Sequence, residues 1–321
     1  MSVEHWETYY RGGGLVTCPT GPDGNYSLEI RDAWVEFYTD VPDGARVLDV
    51  GTGNGAVPLI ARDAAAAAGR RWDIHGSDLA LIDPPRQVRD GAGLFDGITF
   101  HAGVATERLP FEDASIDAVS GQFALEYTDI TASLREVARV LRPGGRARFS
   151  IHHADSVVVG NTRLGLEHVR LVLEDTRFFR KLRRFVAAER EAGSDPRGRA
   201  RAGAAWNDFG AAGARLQQAL AASPGARTLL VTIDAAQKLL SIRQRLTPAH
   251  FEREVDKVER EVRASARRFQ DLLGAARDEG GVRGIAAAGV AVGLVAAEPR
   301  PQFQAGDALV GWLLDLSKPD A

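Results

Sequence analysis

Val47-Leu48-Asp49-Val50-Gly51-Thr52-Gly53-Asn54-Gly55 is the stretch that decides the fold. An apolar run, 46–50, carries an acid near its end and meets three glycines spaced two apart. A helical pattern, 56–68, starts straight afterwards, with Pro58 tolerated in its first turn. Glycines belong where a backbone turns tightly and lets a ligand touch it. The open N–H groups at the start of the next helix suit a polar or anionic group. This strand–turn–helix unit predicts a nucleotide-like ligand at the end of a first strand.

Two details separate the candidate ligands. Dinucleotide sites prefer G-x-G-x-x-G. Here the spacing is Gly51-x-Gly53-x-Gly55, preceded by Asp49. An acid at that place suits an ammonium better than a pyrophosphate. S-adenosylmethionine (SAM) carries an ammonium and a sulfonium and no phosphate, so SAM is favoured over NAD. Asp78 follows a second apolar strand, in Ile74-His75-Gly76-Ser77-Asp78-Leu79. An acid there can accept both hydroxyls of a ribose.

Outward from this motif, strands and helices alternate. A helix is expected over 27–38, strands at 72–76, 98–101, 116–120 and 146–152, and a helix over 130–141 ended by Arg142-Pro143-Gly144-Gly145. Such alternation implies a mostly parallel sheet covered by helices on both faces. After Ser156 the pattern becomes purely helical. A long helix starts with Thr247 as N-cap and Pro248 at its first position, and is expected to end at Gly280-Gly281. Residues 288–296 and 308–316 read as an antiparallel pair closing a seven-stranded sheet. The expected domains are an N-terminal flap and helix (1–40), a ligand-binding domain (41–154 and 263–321) and a helical insertion (155–262).

In combination these segments resemble the class I SAM-dependent methyltransferase family. Asp49-x-Gly51-x-Gly53-x-Gly55 matches its first motif and Asp78 its ribose acid. Gly103-Val104-Ala105-Thr106-Glu107-Arg108-Leu109-Pro110-Phe111 matches its third segment. Ile116-Asp117-Ala118-Val119, with Leu134 to Gly145, matches its fourth strand, helix and terminator. The resemblance implies a Rossmann-like α/β fold and methyl transfer from SAM, releasing S-adenosylhomocysteine (SAH). It implies a cofactor set of Asp49, Gly51, Thr52, Gly53, Asn54, Gly55, Asp78, Leu79, Gly103, Val104, Ala105, Gln122 and Phe123, with Tyr10 near the SAM carboxylate. Many relatives have an acid where Val104 stands, so here backbone around 103–105, or Thr106, has to meet the base.

Methyl transfer needs a nucleophile aligned with the S–CH3 bond, and a base only where that nucleophile is protonated. At the strand ends, Glu126 and Tyr127 follow strand four, and His152 and His153 follow strand five. These four are the candidate catalytic residues, weighed against a solvated acid and hydrogen-bonded filler. No metal is expected: there is no cysteine cluster and no paired acid beside the histidines. Asp83-Pro84-Pro85 is similar to a motif of nucleic-acid base methyltransferases but follows strand two, so it reads as a turn and DNA is not the expected acceptor. Aromatics and glycines in Trp6-Glu7-Thr8-Tyr9-Tyr10-Arg11-Gly12-Gly13-Gly14 suit a flap over the cofactor.

The net charge of −3 favours neither nucleic acid nor an anionic membrane as partner. The N-terminus has no signal-peptide pattern, no run is long enough to span a bilayer, and the single cysteine, Cys18, suits a reducing bacterial cytoplasm. The helical insertion is expected to serve as a lid or as a homodimer face, its last helix having a heptad-like seam. Its basic run, from Arg177 to Arg201, reads mainly as the solvated side of an amphipathic helix. The expected acceptor is a small molecule, methylated at oxygen or nitrogen. A protein or RNA acceptor, a non-catalytic SAM-binding protein and an NAD oxidoreductase are the alternatives.

Overall fold

The computed structural model describes residues 3–16 and 24–320, so Cys18 lies outside the described residues. In chain order the elements are α1 (Glu4–Tyr10), α2 (Leu28–Tyr38), β1 (Arg46–Val50), α3 (Ala56–Ala67), β2 (Asp73–Asp78), α4 (Pro84–Gln87), β3 (Ile98–Ala102), β4 (Ile116–Gln122), α5 (Ile130–Val140) and β5 (Leu141–His152). Then follow α6 (Val157–Arg170), α7 (Phe178–Ala192), α8 (Pro196–Ala222), α9 (Arg227–Ile242), α10 (Pro248–Ala275), α11 (Glu279–Ala291), β6 (Val295–Ala296), β7 (Arg300–Gln304) and β8 (Ala308–Ser317).

The chain divides into two compact units, residues 1–160 with 271–321, and residues 161–270. The first unit is a Rossmann-like α/β layer structure. Its sheet runs β3-β2-β1-β4-β5-β8-β6, with β7 also paired to β8. The five strands β3 to β5 are parallel, and β8 returns antiparallel beside β5. The central strands bury both faces, and β4 is buried at every residue, as expected of a strand with helices above and below. Apolar side chains of β1, β4, β5 and β8 meet α5 and α11 in one core. Trp34, Phe37 and Tyr38 of α2 pack with α3 in another.

The sheet has eight strands, one more than the sequence reading gives, and the difference lies near the C-terminus. Residues 288–296 are not a strand: most of them are the end of α11 and its turn, with β6 only at Val295–Ala296. The Gly280-Gly281 pair does not end a helix but sits in the first turn of one. Asp278 makes it so, its carboxylate accepting the Gly281 N–H at 2.7 Å. Val282, Ile285, Ala286 and Gly289 then follow at helical spacing and are buried. The extra strand, β7, contains Pro301 and pairs with β8 alone, an edge position where proline removes no ladder bond.

The second unit is helical. Phe178, Phe179, Leu182, Phe185, Phe209, Leu216, Phe251, Val255 and Val262 form its core. The heptad-like seam of α10 is therefore covered within its own unit. The basic run on α7 alternates with this core. Arg183 is neutralised by Glu252, Asp256 and Glu259 at 2.5–2.8 Å, and Lys181 by Asp208 at 2.9 Å. Among the described residues no helix is long and apolar enough to cross a membrane.

The cap on α11 gives a test. Asp278→Ala should destabilise the protein by about 1 kcal/mol, read as a lower midpoint in chemical denaturation, whereas Asp278→Asn, which keeps an accepting oxygen, should cost less.

Candidate functional site

Gly51, Gly53 and Gly55 all adopt left-handed backbone angles, φ +62°, +52° and +83°. Each is also closely approached. A Cβ on Gly51 would lie 2.3 Å from the Ala124 Cβ, one on Gly53 2.8 Å from the Tyr10 ring, and one on Gly55 2.8 Å from Phe100. Conformation and space both demand glycine here. Asp78, at the end of β2, ties the neighbouring strand to this turn. Its carboxylate accepts the N–H groups of Gly53 and Ala80, both at 2.8 Å. Thr52 donates its own N–H to the Ser77 carbonyl at 2.9 Å.

Asn54 fastens the N-terminal segment to the same turn, its amide donating to the carbonyls of Tyr10 at 3.0 Å and Gly14 at 2.7 Å. That bond lays Tyr10 on Gly53. On the other side of Asp78, Leu79 is exposed. The Val104 N–H donates to the Asp78 carbonyl at 2.8 Å. The Val104 side chain packs against the central core, so the backbone of Gly103, Val104 and Ala105 passes beside Asp78.

Asp49 sits deeper, 2% exposed. It accepts a hydrogen bond from Ser120 Oγ at 2.7 Å, and Tyr38 donates its hydroxyl to Ser120 at 3.0 Å. Burial pushes the Asp49 carboxyl up to about 7, against the Ser120 hydrogen bond, and the charge of Asp78 adds to the rise. Burial likewise brings Asp78 up to about 6, although two backbone N–H groups oppose it. Among the described residues, hydroxyl and backbone groups, not arginine or lysine, hydrogen-bond these acids.

Next along the sheet edge, the turn after β4 meets the end of β5. Gln122 uses its side chain structurally, accepting from Trp34 Nε1 at 2.7 Å and donating to Ser150 Oγ at 3.2 Å. Phe123 has φ +53°, and its ring stacks on His152 at 4.0 Å and 7°. Glu126 is buried and accepts the His152 N–H at 2.8 Å. Tyr127 stands edge-on to His152 at 6.1 Å, and Trp6 of α1 edge-on to Tyr127 at 5.7 Å. The structure thus brings Phe123, Glu126, Tyr127 and His152 together.

It separates His153 from them. Successive strand residues face opposite ways, and His153 stacks on Trp312 at 4.4 Å while its Nδ1 accepts the Asp155 N–H at 3.0 Å. Two residues that sequence reasoning did not single out also belong here. Arg277 donates to the Glu126 carbonyl at 3.2 Å, and its backbone bonds both His152 and Ala154. His5 meets Asp271 at 2.6 Å and so anchors α1. No local pattern marks Arg277 or His5, since each acts on residues more than 100 positions away. Among the described residues no group of three or more His, Cys, Asp or Glu is placed to hold a metal ion.

The buried acids predict a pH dependence. A carboxyl whose pKa is higher folded than unfolded contributes stability that is full below the unfolded value, near 4, and lost as pH rises through the folded value. For Asp49 that window is about pH 4 to 7. Asp49→Asn keeps an acceptor for Ser120 and removes the ionisation. Relative to the natural chain, without ligand, it should gain stability on the order of 2–3 kcal/mol between pH 4.5 and pH 8. Denaturation at both pH values tests this, and an unchanged difference would rule it out.

Residues 48–149 match the methyltransferase-domain family model. The chain is 34% identical over 128 residues to the ubiquinone/menaquinone biosynthesis C-methyltransferase UbiE of Xylella fastidiosa (strain M23), covering 38% of this chain and 49% of that protein. It is 35% identical over 128 residues to the enzyme of the same name from Stenotrophomonas maltophilia (strain K279a), with the same coverage. The chain thus spans about half the length of these relatives. Among solved structures, a SAM-dependent methyltransferase from Mesorhizobium loti is 28% identical over 38% of this chain and 53% of its own, at a TM-score of 0.31. The matched segment, residues 48–149, contains the left-handed glycine turn and the acid one strand over.

Proposed function

We propose that the chain transfers a methyl group from SAM to a small organic acceptor and releases SAH. The observation that carries this reading is the pairing of the glycine turn with Asp49 and Asp78, two buried, mutually repelling carboxylates that, among the described residues, are bonded by hydroxyl and backbone donors. A ligand with an ammonium, a sulfonium and a ribose fits that chemistry. A pyrophosphate does not, because its charge would add to theirs.

In this reading the backbone of Gly51 to Gly55 takes the methionine and ribose parts, and Asp78 accepts the ribose hydroxyls. Leu79 and the backbone of Gly103, Val104 and Ala105 flank the base. Gln122 and Phe123 offer backbone to the methionine part, and Tyr10 closes over the turn. When bound, SAM supplies an electrophilic methyl group on a positively charged sulfur. Glu126, Tyr127 and His152 face the acceptor, while His153 stands outside the reacting group. The named bacterial relatives are C-methyltransferases, so carbon joins oxygen and nitrogen as an acceptor atom to be screened.

A second reading, a protein or RNA acceptor, draws on the charge of the helical unit. Residues 161–270 contain 22 Arg and Lys against 13 Asp and Glu. Acceptor binding that weakens steeply with salt would identify it.

Calorimetry tests the first reading. SAM and SAH should bind and NADH should not. SAH at 100 times its Kd should add about 2.7 kcal/mol to stability. Gly53→Val combined with Asp78→Ala should weaken SAH binding by at least about 100-fold; full affinity in that variant would overturn the proposal.

A further inference from the structure

The turn after β4 and the last residue of β5 hold two buried polar atoms that packing leaves unexplained. Glu126 and His152 are each 3% exposed. One Glu126 oxygen, Oε1, accepts the His152 N–H, but Oε2 has no hydrogen-bond partner, and neither has His152 Nδ1. A buried polar group left unpaired is unfavourable. Two of them on touching residues point to something that binds between them. The strained backbone of Phe123, φ +53°, stands at the same spot, and such strain concentrates at ligand-handling sites. The walls are aromatic: Phe123, Tyr127 and, over Tyr127, Trp6. The site also adjoins the glycine turn, because Ala124 abuts Gly51.

We infer that Glu126 Oε2 takes the proton from an uncharged acceptor bearing O–H, N–H or acidic C–H, while His152 Nδ1 holds that acceptor by a hydrogen bond. This rests on the methyltransferase reading and specifies its acceptor. The electron pair of the acceptor's X–H bond becomes the X–CH3 bond as the proton passes to Oε2. The pair of the broken carbon–sulfur bond stays on sulfur, which leaves as the neutral thioether of SAH. Atoms and charge balance: the cation lost at sulfur and the carboxylate lost at Glu126 cancel.

The other candidates serve less well. Burial pushes the His152 imidazole down to about 3, so it is a poor base at neutral pH. His153 faces Trp312 instead. Burial brings Glu126 up to about 7, with the His152 N–H and then the Arg277 charge opposing. A group poised near the working pH is an effective proton acceptor. The titratable groups facing Glu126 are His152 from β5, Tyr127 from its own turn, and Arg277 from the segment before α11.

The test pairs a spectroscopic readout with kinetics on the full chain. In difference infrared spectra with SAH bound, a protonated buried carboxyl band should fade as pH rises through about 7 and be missing in Glu126→Gln. Adding p-cresol, an O–H probe, should shift that band. In SAM turnover, Glu126→Gln should lower kcat for p-cresol about 100- to 10,000-fold, with SAH affinity within a factor of 2 of the natural chain. A thioether acceptor, which has no proton to lose, should be methylated equally by both. Equal kcat for p-cresol in the variant, or an infrared band that does not titrate between pH 5 and 9, overturns the inference. Loss of SAH binding by the natural chain would instead sink the methyltransferase reading itself.

Discussion

A Cβ on Gly51 would lie 2.3 Å from the Cβ of Ala124, and that close approach is the constraint on which the site depends. Adjacent parallel strands, β1 and β4, end side by side, and their outgoing turns would collide if both carried side chains. Because one turn is glycine, they meet. Glycine at 51 and 53 accepts the left-handed angles at no steric cost, whereas Phe123 in the other turn takes such an angle at a cost of ~1–3 kcal/mol. What is gained is contiguity. Asp78, Gly53, Ala124 and Glu126 follow one another along one edge of a rigid sheet, the edge where open α/β sheets hold their ligands.

Burial of charge is the second consequence. Asp49, Asp78 and Glu126 all lie along that edge with carboxyls raised by desolvation. In the free protein these groups weaken the fold at neutral pH. A core of the same size built from apolar residues would be more stable, the usual exchange of stability for a reactive site. A ligand carrying positive charge relieves the repulsion, so its binding and the stability of the fold are linked.

The parts of this design that are local in sequence were legible there. The glycine spacing and the acids at the ends of β1 and β2 each stand out within a few residues, and the alternation of strands and helices predicts the parallel sheet. The stretch 288–296 is ambiguous in sequence because a run of alanine, glycine and valine has no decisive period. What decides it is Asp278, a cap several residues upstream. The two adjacent histidines read as one cluster, yet strand alternation sends them to opposite faces. Arg277 left no signal at all, since its role is to bond Glu126, 151 positions away.

The aromatic wall over Tyr127 illustrates why such long-range pieces matter. Helix α1 has seven residues, too few to hold a helix on intrinsic propensity. It persists through tertiary contacts: His5 with Asp271, the Asn54 amide with the Tyr10 carbonyl, Trp6 with Tyr127. Two of these three contacts fall on candidate site residues, Asn54 and Tyr127. A segment with so little stability of its own belongs to the low end of the local-unfolding scale, and its order depends on the groups it covers. The aromatic wall and the glycine turn are therefore tied to one short helix: Asn54 holds the Tyr10 carbonyl, and Tyr127 meets Trp6.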